Sequence, residues 1–267
     1  MIGTLLIRGM LVGVVAGLLA FVFAHTFGEP PVDAAIAVEE SHSHSHDHAG
    51  IAMAGDAAAT PVDPTAIAAG APAAGQPPAA ADEELVSRPV QSTIGLFTGV
   101  VVYSAAYGGL FAIVFALVWG RMGSADPRVL AAALALIGFV VMVAVPQIKY
   151  PANPPAVGSA DTIGLRTGMF WLMIAASVVT AVIVTFLQRM LSVTWGTWNA
   201  TLIAGVVFVA IVSAVMLVLP TINEVGADFP AGVLWQFRIA SLGTQGVMWA
   251  AIGILFGLAT QRALKVR

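Results

Sequence analysis

Charge is so sparse in this chain that the distances between charged residues decide what it can fold into. Its 25 acidic and basic residues leave six long uncharged intervals: 9–28, 89–120, 129–148, 167–188, 190–223 and 239–261. Each is at least 20 residues long, and about 20 apolar residues at 1.5 Å rise cross a bilayer core. Only 9% of the 267 residues are charged, where an ordinary soluble domain carries about a quarter. The mean hydropathy of +0.93 agrees. The pattern predicts an all-α integral membrane protein, a polytopic bundle of about six transmembrane helices. The spans read as 5–27, 94–119, 128–146, 168–188, 200–219 and 239–260. Pro146, Pro151 and Pro220 fall at span ends, where a missing N–H does least harm.

Small residues recur at helical spacing. Gly9, Gly13 and Gly17 form one ladder, Ser104, Gly108, Ala112 and Ala116 a second, and Gly246, Ala250, Gly253 and Gly257 a third. Such faces let backbones approach closely in lipid, where packing drives association. The apolar run Gly9–Ala24 exceeds the core of a signal peptide, so the first span is expected to be a retained helix.

With the N-terminus cytoplasmic, six spans put Arg8, Arg121, Arg128, Arg189, Arg262, Lys265 and Arg267 inside. Arg88, Lys149, Arg166 and Arg238 fall outside. Both termini are therefore expected in the cytoplasm. Of the 14 carboxylates only Asp126 lies inside, which makes the outer face electronegative and attractive to cations. The net charge of −3 excludes nucleic-acid binding by bulk positive charge, and the absence of cysteine excludes thiolate metal sites. No GxxxxGK[ST], HExxH or GxSxG motif occurs, so neither ATP hydrolysis nor enzymatic catalysis is expected of this chain. No tightly bound cofactor is expected.

The organisation divides at residues 27 and 91: a first transmembrane helix (1–27), an outer acidic and His-rich loop (28–91), and a five-helix bundle (92–267). Within the loop, Ala34–Glu40 can form a short amphipathic helix. Ala49–Ala81, rich in Ala, Pro and Gly without apolar periodicity, reads as a disordered tether. Between them stands Ser-His-Ser-His-Ser-His-Asp-His. His42, His44, His46 and His48, with Asp47 alongside, can wrap a divalent cation without a preformed cage. Near neutral pH most such imidazoles are unprotonated and can ligate. Affinity order favours copper and nickel, with zinc suited too, so the run by itself does not select cobalt. His25 and Glu29, four residues apart at the outer end of the first span, share a helix face and join the candidate ligands. Glu224 and Asp228 in the last outer loop do likewise, against the simpler reading that they pair with Arg238. No Asp, Glu, Lys or Arg lies near a span centre. The polar or soft groups there are few, Tyr103, Ser104, Gln245 and Met248 among them.

Three further strings are distinctive: Lys149–Gly158 (KYPANPPAVG), Asn223–Pro230 (NEVGADFP) with Leu234–Gln245 (LWQFRIASLGTQ), and Gly28–Asp33 (GEPPVD). In them the chain resembles the CbtA family of predicted cobalt transporter subunits over nearly its whole length, the Ala/Pro tether excepted. The resemblance implies a bacterial inner-membrane protein that takes up cobalt in support of cobalamin synthesis. It also implies a small one-span, His-bearing partner, CbtB. Family descriptions count five spans against the six read here. In the proline loop, Pro151, Pro154 and Pro155 fix an extended backbone, and Asn153 either faces a cation or merely helps close the bundle. Two functions follow: a divalent-metal (Co²⁺, or Ni²⁺, Zn²⁺ or Cu²⁺) transporter subunit, or a non-conducting membrane protein that binds metal outside.

Overall fold

The structure, a computed structural model, describes residues 2–41, 87–121, 126–155, 157–159 and 161–265. Every regular element among them is helical. Five helices are long and apolar enough to cross a membrane: α1 (Gly3–Ser41), α2 (Arg88–Val118), α3 (Pro127–Lys149), α4 (Ile163–Val218) and α5 (Ala231–Arg262). Six were expected. The discrepancy lies in α4, where residues 168–188 and 200–219 belong to one 56-residue element.

That element is not straight. A 56-residue helix would be about 84 Å long. Yet Arg166, near its start, bonds to Glu224, just beyond its end, and Met173 shares a buried cluster with Val212. The reversal occurs at one residue: Gly196 adopts φ +75°, ψ 158° between two runs of helix. This backbone region is essentially closed to residues with a Cβ. Gln188 Nε2 then meets Thr201 Oγ1 at 3.5 Å across the bend. Trp195 and Trp198 flank it, exposed, in the manner of interfacial anchors.

The other four helices form the body of the molecule. The first ladder packs on the second. A Cβ on Gly9 would lie 2.3 Å from the Gly108 carbonyl oxygen, and one on Gly13 equally close to that of Ser104. No side chain fits there, so α1 and α2 touch backbone to backbone. The third ladder packs on α3: a Cβ on Gly253 would meet the Ala135 methyl at 2.5 Å, and one on Gly257 the Arg128 Cα at 3.0 Å. A Cβ on Gly246 would lie 4.0 Å from the Phe139 ring of α3, while Ala250 is exposed. Phe23 of α1 lies against Gly243, so α5 bridges α1 and α3. The core gathers around Phe111, Phe115, Met248, Trp249, Ile252 and Phe256. At the start of α3, the Asp126 carboxylate accepts from the Arg128 N–H at 2.8 Å, an N-cap followed by Pro127 in the first turn.

Two helices run further than expected. Helix α1 passes through Pro30 and Pro31 and continues to Ser41, across the boundary placed at residue 27. Helix α3 passes Pro146 and ends at Lys149. In both, a π turn lies immediately before the proline, at Ala24–Gly28 and at Val140–Ala144. The widened turn relieves the clash of the proline ring with the preceding carbonyls, so the helix survives.

Candidate metal-capture rim

The antiparallel packing sorts the charged side chains. Arg8, Arg121 and Arg128 lie toward one end of the body. Glu29, Asp33, Arg88, Lys149, Arg166, Glu224 and Arg238 lie at the other.

On α1, Glu29 and Asp33 are one turn apart. Arg88 at the start of α2 spans both: its Nη2 lies 2.5 Å from Glu29 Oε2 and 2.8 Å from Asp33 Oδ1, and its Nε donates to Asp33 at 3.1 Å. Glu29 is largely covered, whereas Asp33 is 63% exposed. This bridge joins residues 55 and 59 positions apart and holds the two ends of the outer loop together. One guanidinium against two carboxylates leaves a net charge of −1. One turn below, His25 Nδ1 lies 3.3 Å from the Ser92 carbonyl oxygen, and its ring stacks on Phe21. When Nδ1 carries the proton and donates to that carbonyl, Nε2 keeps its lone pair for a ligand.

A second group gathers where α4 starts and ends. Glu224 accepts from both Arg166 Nη1 and Thr162 Oγ1, and its side chain is only 6% exposed. Gly158 (φ +141°) presses on this pair: a Cβ there would lie 3.0 Å from Arg166 Nη1. Arg238 instead reaches into the proline loop, donating to Asn153 Oδ1 at 3.1 Å and to the Ala152 carbonyl at 3.3 Å. Tyr150 donates its hydroxyl to the Pro220 carbonyl at 2.8 Å. Burial pushes that phenol above its ordinary pKa and keeps it a donor.

The expected ligands therefore fare differently. Glu29 and Glu224 are engaged by arginines, Asp228 is exposed in the loop, and Asn153 is taken by Arg238 rather than offered to a cation. Glu224 pairs with Arg166 and not with Arg238, the arginine suggested by nearness in sequence. Among the described residues no group of three or more His, Asp or Glu stands close enough to hold a metal. His42, His44, His46, Asp47 and His48 lie outside the described residues. Arg88 and Arg166 were not anticipated as rim residues. Each had a signal in its position, because it borders an uncharged interval at the same level as the carboxylate it meets.

A family model described as "Probable cobalt transporter subunit (CbtA)" matches residues 2–261. The chain belongs to the CbtA family. The match takes in all five helices, the rim and the His-bearing segment. No curated protein and no solved structure gave a match. For a CbtA protein the word subunit implies a partner, and several long apolar helices make this a multi-pass membrane protein.

Proposed function

We propose that this CbtA protein is the membrane subunit of a divalent-metal uptake system, with cobalt as the physiological cargo. In this reading the two arms of α4 each cross the bilayer, giving six crossings with both termini cytoplasmic. The membrane is the bacterial inner membrane, and the rim with its His segment faces outward.

One observation carries the proposal. Helix α1 continues beyond its apolar stretch as far as Ser41, bears Glu29, Asp33, Glu39 and Glu40 on that extension, and hands directly to His42. At 1.5 Å per residue the extension from Gly28 to Ser41 projects by roughly 20 Å. Its own carboxylates stand next in sequence to the His run, and a captured cation meets favourable potential there. His42, His44, His46 and His48, helped by Asp47, make the first capture. His25, Glu29, Glu224 and Asp228 form the vestibule. The chain has no nucleotide-binding loop, is not an enzyme, and draws any coupling energy from ion gradients or from a partner. The partner proposed is a small one-span His-bearing subunit of the CbtB kind.

The test is metal accumulation in cells expressing this chain, with and without such a partner, across Co²⁺, Ni²⁺, Zn²⁺ and Cu²⁺. Cobalt uptake dependent on the chain is the expected result. Replacing the four histidines by alanine should raise the half-saturating metal concentration about tenfold, equivalent to about 1.4 kcal/mol, and leave maximal flux unchanged.

The arginine pairing of Glu29 and Glu224 favours a second reading, a non-conducting accessory protein that buffers metal outside the membrane. Metal bound by the purified chain, with no flux into liposomes in the presence of the partner, would decide for it.

A further inference from the structure

Helices α3 and α4 pack together only in their rim half. Val140, Val145 and Tyr150 of α3 share one apolar cluster with Met173, Phe208 and Val212 of α4. Below Val140 and Phe208 the two helices part. On α3, Ile137, Leu136, Ala133 and Val129 stand three, four, seven and eleven residues before Val140, so they continue its face. All four are exposed, Leu136 to 64%. The opposite face of the same stretch, Leu130, Ala131 and Ala135, is buried in the body. On the second arm of α4, Gly205 and Thr201 stand three and seven residues before Phe208 and continue its face in the same way. Both are exposed as well.

The two bare strips prolong the two sides of one packed interface, so they are the walls of a wedge. It runs about 16 Å along α3 from Val140 to Val129, roughly half a bilayer core. Its apex is pinned from the rim: Tyr150 donates to the Pro220 carbonyl, and Lys149 Nζ lies 3.3 Å from Thr221 Oγ1. Its α4 wall has unused room for a backbone. A Cβ on Gly205 would find nothing within 4 Å, whereas Gly9, Gly13 and Gly253 in the body each lie against another helix. At the mouth, the half-buried Gln188 reaches Thr201 Oγ1 with its Nε2 at 3.5 Å. The other end of that amide has no hydrogen-bond partner among the described residues. Lipid chains can fill such a wedge, but close approach at a glycine and a hydrogen bond to an amide are what another helix supplies.

We propose that a membrane-spanning helix of the partner subunit docks in this wedge, between α3 and the second arm of α4. The proposal rests on the reading above, in which the chain works with a small one-span subunit, and adds where that subunit sits. Of the bare apolar surfaces, this one continues an interface the protein already makes, and an added helix would extend the packing from its apex downward. The helix that fits is apolar, small where it meets Gly205 and Ala133, and carries a hydrogen-bonding side chain level with Gln188. Docking there would cover a part of α4 that the chain itself leaves bare, since only 11% of the α4 apolar window is buried.

Two measurements on the full-length chain test this. The chain is cysteine-free, so a nitroxide on a single cysteine reports one position. In liposomes holding the chain alone, labels at Gly205→Cys, Leu136→Cys and Val206→Cys should all collide freely with oxygen dissolved in the lipid. Val206, exposed like the others, points about 100° round the helix from Gly205 and serves as the control. Adding the small one-span subunit should shield the first two labels and leave the third unchanged. No shielding at the wedge positions, or equal shielding at Val206→Cys, would overturn the proposal. Shielding already present in the chain alone would mean that α4 or a second copy closes the wedge, and would overturn it too. For binding, Gly205→Trp should lower retention of the subunit on the purified chain about tenfold while the thermal melt of the chain alone stays unchanged. Gly164→Trp, equally open but at the rim end of α4, should retain it normally. Normal retention by Gly205→Trp would likewise overturn the docking. Shielding as expected in a pair that takes up no metal would uphold the docking while refuting transport.

Discussion

The four-helix body and the α4 hairpin are built from the same apolar alphabet, yet they are held in different ways. In α1, α2, α3 and α5, glycine ladders bring backbones into contact, and a third or more of each apolar window is buried within the protein. In α4 that share is 11%. Its arms pack on each other and on the rim end of α3 through Met173, Val212, Val145 and Tyr150, and leave most of their length bare. In a membrane lipid covers that surface at little cost, so composition alone does not separate a packed helix from a peripheral one. Close approach at small residues does.

Four substitutions probe this contrast, beginning with the most damaging. Gly13→Leu drives a side chain into the Ser104 backbone, which cannot yield as a flexible side chain can. Loss of more than about 3 kcal/mol and failure to accumulate folded protein are expected, read by detergent thermal melts. Glu224→Gln leaves the Arg166 guanidinium without its carboxylate beneath the proline loop. With Arg166 30% exposed, the expected loss is roughly 1–3 kcal/mol, below that of a fully buried pair. Gly196→Ala places a Cβ on backbone at φ +75° and should cost about 1–3 kcal/mol, confined to the hairpin. Hydrogen exchange should show it as faster opening of residues 190–205 with the body unchanged. Gly205→Leu, with nothing near the new side chain, should stay within about 0.5 kcal/mol of the parent. If Gly205→Leu were as harmful as Gly13→Leu, α4 would be packed against something and the contrast would fail.

The rim allows a similar comparison on a smaller scale. Tyr150→Phe removes one hydroxyl from the Pro220 carbonyl and should lower stability by about 1 kcal/mol. Glu29→Gln should cost less than Glu224→Gln, because Arg88 keeps Asp33 while Arg166 meets Glu224 alone among the carboxylates of the described residues.

Much of this was legible in the residues. Among the described residues the uncharged intervals located each of the five long apolar helices, two intervals falling on α4, since apolar length is what lipid requires of a span. The small-residue ladders foretold which faces would meet, although Ala250 of the third is exposed. The boundaries were less legible. The first span was expected to end at residue 27 and the third at Pro146, and the π turns that carry helix past Pro30, Pro31 and Pro146 depend on hydrogen-bond shifts that no residue type announces. At the rim, His25, Glu29, Glu224 and Asp228 stood out in the sequence as candidate ligands by their chemistry alone. Their arginine partners were not, because Arg88 and Arg166 lie 59 and 58 positions from Glu29 and Glu224.

What the sequence determined by itself is the class of protein and most of its small-residue seams. These are local quantities, set by run length and spacing against a solvent of fixed thickness. Which helices share a seam and which arginine closes on which carboxylate were decided by tertiary structure. Those depend on contacts between residues far apart in the chain, and in lipid they follow from the fit of whole surfaces.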